Sequence, residues 1–158
     1  MDGQAAPIGD VGSVGFDVAD RLATINLFGA YAYTYDENRL DEFRALFSES
    51  PELVLLHEGR PVSADVDTVM SLLAVRKGAF KAENNQRRHA LNSFWFSSQS
   101  ASEATGQSYV QVFAIKDGGP PAPDLTGRYE FTAVKQDGTS RFRRWVVAID
   151  QTQPRNPE

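Results

Sequence analysis

The sequence holds two histidines, His57 and His89, and no cysteine. Disulfides, thiolate metal sites and cysteine nucleophiles are therefore set aside together. What remains is acid–base chemistry, for which a carboxylate beside an imidazole is a suitable unit. The carboxylate fixes the ring tautomer and stabilises the imidazolium, while the second ring nitrogen is free to take a proton from a substrate. Asp36 is the carboxylate that draws notice. Val18, Leu22, Ile25, Gly29 and Ala32 recur at spacings of four and three, the buried stripe of an amphipathic helix, and the next place on that stripe is Asp36. A carboxylate at a buried position is costly unless something pairs with it. His89, opening the run RRHALNSFWF, and His57, near the end of ELVLLHE, are the two available imidazoles. The competing reading is local: Asp36 hydrogen-bonds at the end of its helix, and His89 is a satisfied strand histidine.

Around this pair the sequence offers further polar and aromatic groups. Tyr35 lies beside the stripe and can donate its hydroxyl to a developing oxyanion, with His57 as a second donor. Tyr31 and Tyr33 fit amphipathic packing. Tyr109, Phe113, Tyr129, Phe131 and Trp145 form an aromatic set on the later strands. Such a set either builds core or lines a pocket for a hydrophobic, polycyclic ligand. Tyr31, Trp95, Phe113, Tyr129 and Trp145 are the expected substrate contacts.

Other chemistries find no support. The histidines are far apart and no His-Glu-x-x-His is present, so no metal is expected. His57 and Glu58 are neighbours on a strand and point to opposite faces. There is no Gly-x-Ser-x-Gly elbow, phosphate loop or dinucleotide fingerprint, and no cofactor is expected. The net charge of −5 argues against nucleic acid as a partner. The short basic cluster Arg141, Arg143 and Arg144 is interleaved with Phe142 and Trp145 and reads as a solvated strand face. No apolar run approaches the roughly 20 residues of a membrane span, and the start of the chain has no signal-peptide pattern. A cytoplasmic protein is the expectation.

The elements that must position these residues are legible in outline. Residues 1–15, with four glycines and one proline, read as a flexible arm. Asp17 caps a helix from Val18 to Asp36, with Gly29 set for close approach of a backbone or ligand. Asn38 caps a short second helix that buries Leu40, Phe43, Leu46 and Phe47. Glu52–Glu58 is a strand, and Gly59-Arg60-Pro61 a turn. Ser63 caps a third helix with Val66, Val69, Met70 and Leu73 on its apolar side. Four long strands follow at about Arg88–Ser98, Thr105–Lys116, Gly127–Gln136 and Ser140–Asp150. Asp117–Thr126 is a long proline-rich connection, and Asp137-Gly138 a two-residue hairpin turn. Residues 151–158 read as a disordered tail. Helices segregated from strands predict an α+β domain over 16–150, with helices on one face of a curved sheet. On the first long strand, Ala90, Phe94 and Phe96 fall on one side and Leu91 and Trp95 on the other. Apolar residues on both sides imply a second subunit on the outer sheet face.

The helix ending YTYDENRLDEFRALF, the strand ELVLLHE, the run QRRHALNSFWF and the hairpin VKQDGTSRFRRWVVAID together resemble the SnoaL-like group of the nuclear transport factor 2 superfamily. The resemblance covers about Phe16 to Asp150. It implies a cone-shaped, cystatin-like α+β fold: three N-terminal helices on a curved, mixed, mostly antiparallel sheet. Within the group the chain is most similar to scytalone dehydratase and hexachlorocyclohexane dehydrochlorinase. In both, an aspartate ending the first helix and a histidine opening the long strand form a base dyad, at positions matching Asp36 and His89. The Tyr-Asp pair of the scytalone enzyme matches Tyr35-Asp36. That enzyme also has a histidine on the next strand, where this chain reads QSYVQVFAI, and its late asparagine is replaced near Tyr129. Ketosteroid isomerase and its polyketide-cyclase relatives keep their carboxylate base elsewhere, on the strand that here offers His57 and Glu58. The resemblance implies a cofactor-free lyase or isomerase acting by dehydration, β-elimination or double-bond shift, assembled as a homodimer or homotrimer through the sheet face. The alternative on the same fold is a non-catalytic ligand-binding or assembly domain, a dioxygenase small subunit included.

Overall fold

A computed structural model describes residues 17–152. The expected arm at 1–15 and most of the expected tail lie outside the described residues.

The helix that carries the candidate site, α1, spans Val18–Asp36. Asp17 caps it by accepting the Asp20 N–H at 2.8 Å, as the sequence predicts. Its end is set by Asn38, whose φ of 58° lies in the left-handed region. The Asn38 N–H reaches the Tyr35 carbonyl at 3.2 Å and the Arg39 N–H the Thr34 carbonyl at 2.8 Å, closing the last turn. Asn38 thus stops α1 rather than capping α2 (Leu40–Ala45), whose N-cap residue is Arg39, without a side-chain capping bond.

The buried face of α1 is not the aliphatic stripe. Thr24, Leu27, Phe28, Tyr31, Thr34 and Tyr35 point inward, whereas Val18 and Leu22 are 61 % and 60 % exposed. A side chain added at Gly29 would meet open space, so no close approach occurs there. The aromatic rings decide the orientation, because burying Phe28, Tyr31 and Tyr35 removes more apolar surface than burying Val18, Leu22 and Ile25. Asp36 follows Tyr35 at the margin of this stripe.

Six strands form one sheet: β1 (Phe47–His57), β2 (Arg60–Ala64), β3 (Asn85–Gln99), β4 (Glu103–Lys116), β5 (Ala122–Gln136) and β6 (Thr139–Ile149). Their order is β2-β1-β6-β5-β4-β3. Only β1 and β6 run parallel. Strand β2 is absent from the sequence reading. Its Pro61 is tolerated because β2 is an edge strand. Ser63 lies within β2, and Asp65 instead caps α3 (Val66–Ala82), accepting the Thr68 N–H at 2.8 Å. The Asp137-Gly138 turn has the expected positive φ at both residues, 51° and 75°. Asp117-Gly118 repeats this at 50° and 67°, and β5 begins at Ala122, so the connection is shorter than predicted. Asp150–Thr152 is a single 3₁₀ turn. The Thr152 carbonyl accepts the Glu58 N–H at 2.6 Å, which corrects the expectation of disorder for residues 151 and 152.

A bulge in β3 resets its alternation. Ser93 has φ 53°, and the pairing with β4 skips between Asn92 and Trp95. Leu91, Phe94 and Phe96 consequently share the inner face, while Trp95 turns outward with Ala90. The inner face packs on α1 through Phe28, whose ring lies 4.9–5.5 Å from those of Phe94, Phe131, Phe142 and Trp145. Among the described residues no helix is long and apolar enough to cross a membrane.

Candidate active site

The end of α1 is tied to the start of β3 by Asp36. One carboxylate oxygen lies 2.6 Å from His89 Nδ1, and the other accepts the His89 backbone N–H at 2.8 Å. The Gln86 side-chain amide adds a bond to the Asp36 carbonyl at 3.2 Å. Both members of the pair are sheltered, their side chains 8 % and 6 % exposed for His89 and Asp36. With Asp36 ionised, Nδ1 carries the ring proton and donates it to the carboxylate. Nε2 then presents its lone pair, and it has no hydrogen-bond partner among the described residues. At the rim, Arg88 pairs with Glu37 at 2.9 Å.

Aromatic residues wall the pair. The Tyr35 ring lies 4.6 Å from that of His89 at a 65° tilt, and the Tyr31 ring 6.4 Å away. Tyr31, Tyr129 and Trp145 pack against one another with centroids 4.7–5.6 Å apart. Burial drives the Tyr31 phenol well above its usual pKa, with Tyr129 and Tyr35 pushing the same way. Burial likewise raises that of Tyr129. Both phenols therefore stay protonated. The three rings fill the space beside the dyad rather than fencing an open one. Next to them Ser108 Oγ is buried without a partner among the described residues, and Ser108 sits opposite Tyr129 in the sheet register.

Of the expected residues, Asp36, His89, Tyr35, Tyr31, Tyr129 and Trp145 come together. Three do not. His57 is exposed on β1, with β6, β5 and β4 between its strand and β3. Phe113 follows Val112, which is paired with His89 on the inner face, so Phe113 belongs to the outer face. Trp95 is on that outer face too, turned there by the bulge. The aromatic set is thus split, with Tyr109, 58 % exposed, also outside.

The structure adds a residue that the sequence reading passed over. Lys77 is only 6 % exposed, the one buried residue of α3. Its ammonium lies 3.9 Å from the centroid of the Tyr35 ring. Burial brings its pKa down to about 8; Asp36 works against that shift and Arg87 with it. Lys77 also lines a cavity of about 260 Å³ together with Asp36, Glu37, Phe80, Asn85 and Arg87. The signal was available: Val66, Val69, Met70 and Leu73 form the inward stripe of α3, and Lys77 is its next position. Among the described residues there is no group of three or more potential metal-binding side chains.

The sequence pattern of the family described as SnoaL-like domain matches residues 17–146. No curated protein matches the sequence. Several solved structures share the fold. ActVI-ORFA from Streptomyces coelicolor is 20 % identical, with a TM-score of 0.75 over 87 % of this chain and 100 % of its own. A candidate scytalone dehydratase from Novosphingobium aromaticivorans is 22 % identical, with a TM-score of 0.68 over 89 % and 91 %. The beta subunit of a candidate aromatic-ring-hydroxylating dioxygenase from the same organism is 20 % identical, with a TM-score of 0.67 over 85 % and 92 %. At such identities the likeness establishes the architecture, the cystatin-like cone with three helices on a mixed, mostly antiparallel sheet.

Proposed function

This chain belongs to the SnoaL-like domain family, and we propose that it is a cofactor-free lyase or isomerase with His89 as its general base. The observation that supports this reading is the double attachment of Asp36 to His89, through Nδ1 and the backbone N–H, which leaves Nε2 unbonded. In the proposed step Nε2 takes a proton from a carbon next to an activating group. The electron pair moves into that group as an enolate, or expels a leaving group from the β-carbon. Asp36 stabilises the imidazolium that forms. In this reading Tyr35, whose ring packs beside that of His89, donates to the developing oxyanion. The substrate of this reading has an apolar body held against the aromatic wall that Tyr31, Tyr129 and Trp145 build beside the dyad. The return of the proton at another carbon gives a double-bond shift; its loss with a hydroxyl gives dehydration.

The test is turnover of a panel of hydroxylated aromatic ketones by the protein and its His89→Gln variant. The base reading expects a loss of about 10²–10⁴-fold in the variant with an unchanged circular dichroism spectrum. Turnover equal to that of the parent would remove the mechanism.

A second reading keeps the fold and drops the chemistry, making the chain a ligand-binding or assembly subunit. It draws on the outer sheet face, where Tyr109 is 58 % exposed on the same side as Trp95 and Phe113. A homodimer or homotrimer through that face fits either reading. Tyr109→Glu is expected to lower the mass measured by light scattering.

A further inference from the structure

Lys77 is placed where a lysine can act as a nucleophile. It continues the inward stripe of α3 and is the one buried residue of that helix. Its Nζ rests on the face of Tyr35, 3.9 Å from the ring centroid. The residue borders a cavity of about 260 Å³. Glu37, Asn38, Lys81 and Asn84 line the same cavity and are exposed, so a small molecule can enter from solvent.

The charges around the amine are mixed. Asp36 and Glu37, at the end of α1, favour its ammonium form, whereas Arg87 of β3 and Arg76 of α3 oppose it. Each acid has an engagement of its own, Asp36 with His89 and Glu37 with Arg88. Burial outweighs their attraction and brings the pKa down to about 8. Free amine is therefore present near neutral pH in a proportion that an ordinary lysine lacks. The chain has three other lysines, Lys81, Lys116 and Lys135. All three are exposed, and Lys135 pairs with Asp20 at 2.7 Å.

A carbonyl compound suits this arrangement. When Nζ adds to a carbonyl carbon, the C–N bond forms as the C=O π bond breaks, and the oxygen takes up a proton. Loss of that oxygen as water leaves a protonated imine. Overall one ammonium and one carbonyl give one iminium and one water, with the charge unchanged. Asp36 and Glu37 favour the iminium as they favour the ammonium. The hydroxyl of the addition intermediate is a donor, and Asn85 offers an acceptor in the same cavity. That residue is 8 % exposed, and its Oδ1 is buried without a partner among the described residues.

We propose that Lys77 is a covalent carbonyl-binding site, which condenses with a small aldehyde or ketone in this cavity to form an imine. The assignment goes beyond the base chemistry proposed above and does not require it.

The full chain is incubated at pH 8 with benzaldehyde and sodium cyanoborohydride, which delivers hydride to the imine carbon and fixes the adduct as a secondary amine. Tryptic peptides are followed over time by mass spectrometry. The expected result is a benzyl group on Lys77 that forms about tenfold faster, or more, than on Lys81 or Lys116. Its rate should level off above about pH 8. Without the reductant the adduct should be lost on dialysis. Lys77→Arg should lose the fast adduct and keep the slow ones at an unchanged circular dichroism spectrum. Labelling of Lys77 no faster than that of Lys81 and Lys116, or a fast adduct that persists in Lys77→Arg, overturns the assignment. The readout involves no turnover, so this site and the His89 base fail separately.

Discussion

Asp36 holds His89 by its main chain and its ring at once, with bonds of 2.8 Å to the backbone N–H and 2.6 Å to Nδ1. The first fixes where the side chain leaves β3, and the second fixes the rotation and tautomer of the imidazole. An Asp36→Asn variant keeps the shape and removes the charge. The imidazolium that forms on proton transfer then loses its close anion, so turnover should drop by about two orders of magnitude or more at an unchanged circular dichroism spectrum. Turnover equal to that of the parent would mean that Asp36 is only a structural tie.

His57 supplies the control. It is exposed on β1, at a distance of four strands from β3 across the sheet. His57→Ala should leave turnover and stability within experimental error of the parent, the usual outcome for a surface change away from any special feature. A large loss of activity in His57→Ala alone would place the proton donor on the far edge of the sheet and require a different substrate pose.

The sequence was legible where local chemistry acts alone, as at the Asp17 cap, the Asp137-Gly138 turn and the bounds of α1. It misled where tertiary packing chose between faces. The stripe that drew attention to Asp36 faces solvent over its first turns, with Val18 and Leu22 exposed, because Phe28, Tyr31 and Tyr35 have more surface to bury. Asp36 still reaches its partner, since it sits at the border between the two faces. Trp95 and Phe113 were assigned to the pocket by an alternation that takes no account of the bulge at Ser93 or of the register that sets Val112 opposite His89. A one-residue slip exchanges the faces of a strand. Lys77 is visible by the same argument as Asp36, as a charge on an apolar stripe, although the apolar side predicted for α3 ends at Leu73.

Phe28 is fully buried and its ring meets four others, from β3, β5 and β6, at 4.9–5.5 Å. Phe28→Ala would leave a void that the strands on the far side cannot close. The expected cost is about 3–5 kcal/mol, measured as a lower urea midpoint at unchanged slope. A loss below about 1 kcal/mol would show that the interface between α1 and the sheet relaxes far more than close packing allows.

Lys77 should weaken the fold that contains it. Its folded-state pKa of about 8 lies below the free value of 10.5, so between those two values the unfolded chain binds more protons than the folded one. Stability owed to this group therefore rises with pH across that window; below about pH 8 the full cost of burying the ammonium is present. Replacing it by Met, of similar length and without charge, removes the cost while keeping contact with the Tyr35 ring. Lys77→Met should be more stable than the parent at pH 7, by an amount of order 1–3 kcal/mol. The difference should shrink as pH climbs from 8 towards 10.5. Urea titrations of both proteins at pH 7, 9 and 10.5 read this directly. A variant that is less stable at pH 7 would mean that the cation contributes more through Tyr35 and Asp36 than burial takes away. A charge that costs stability and yet occupies the inward stripe of α3 fits a role in binding rather than in packing.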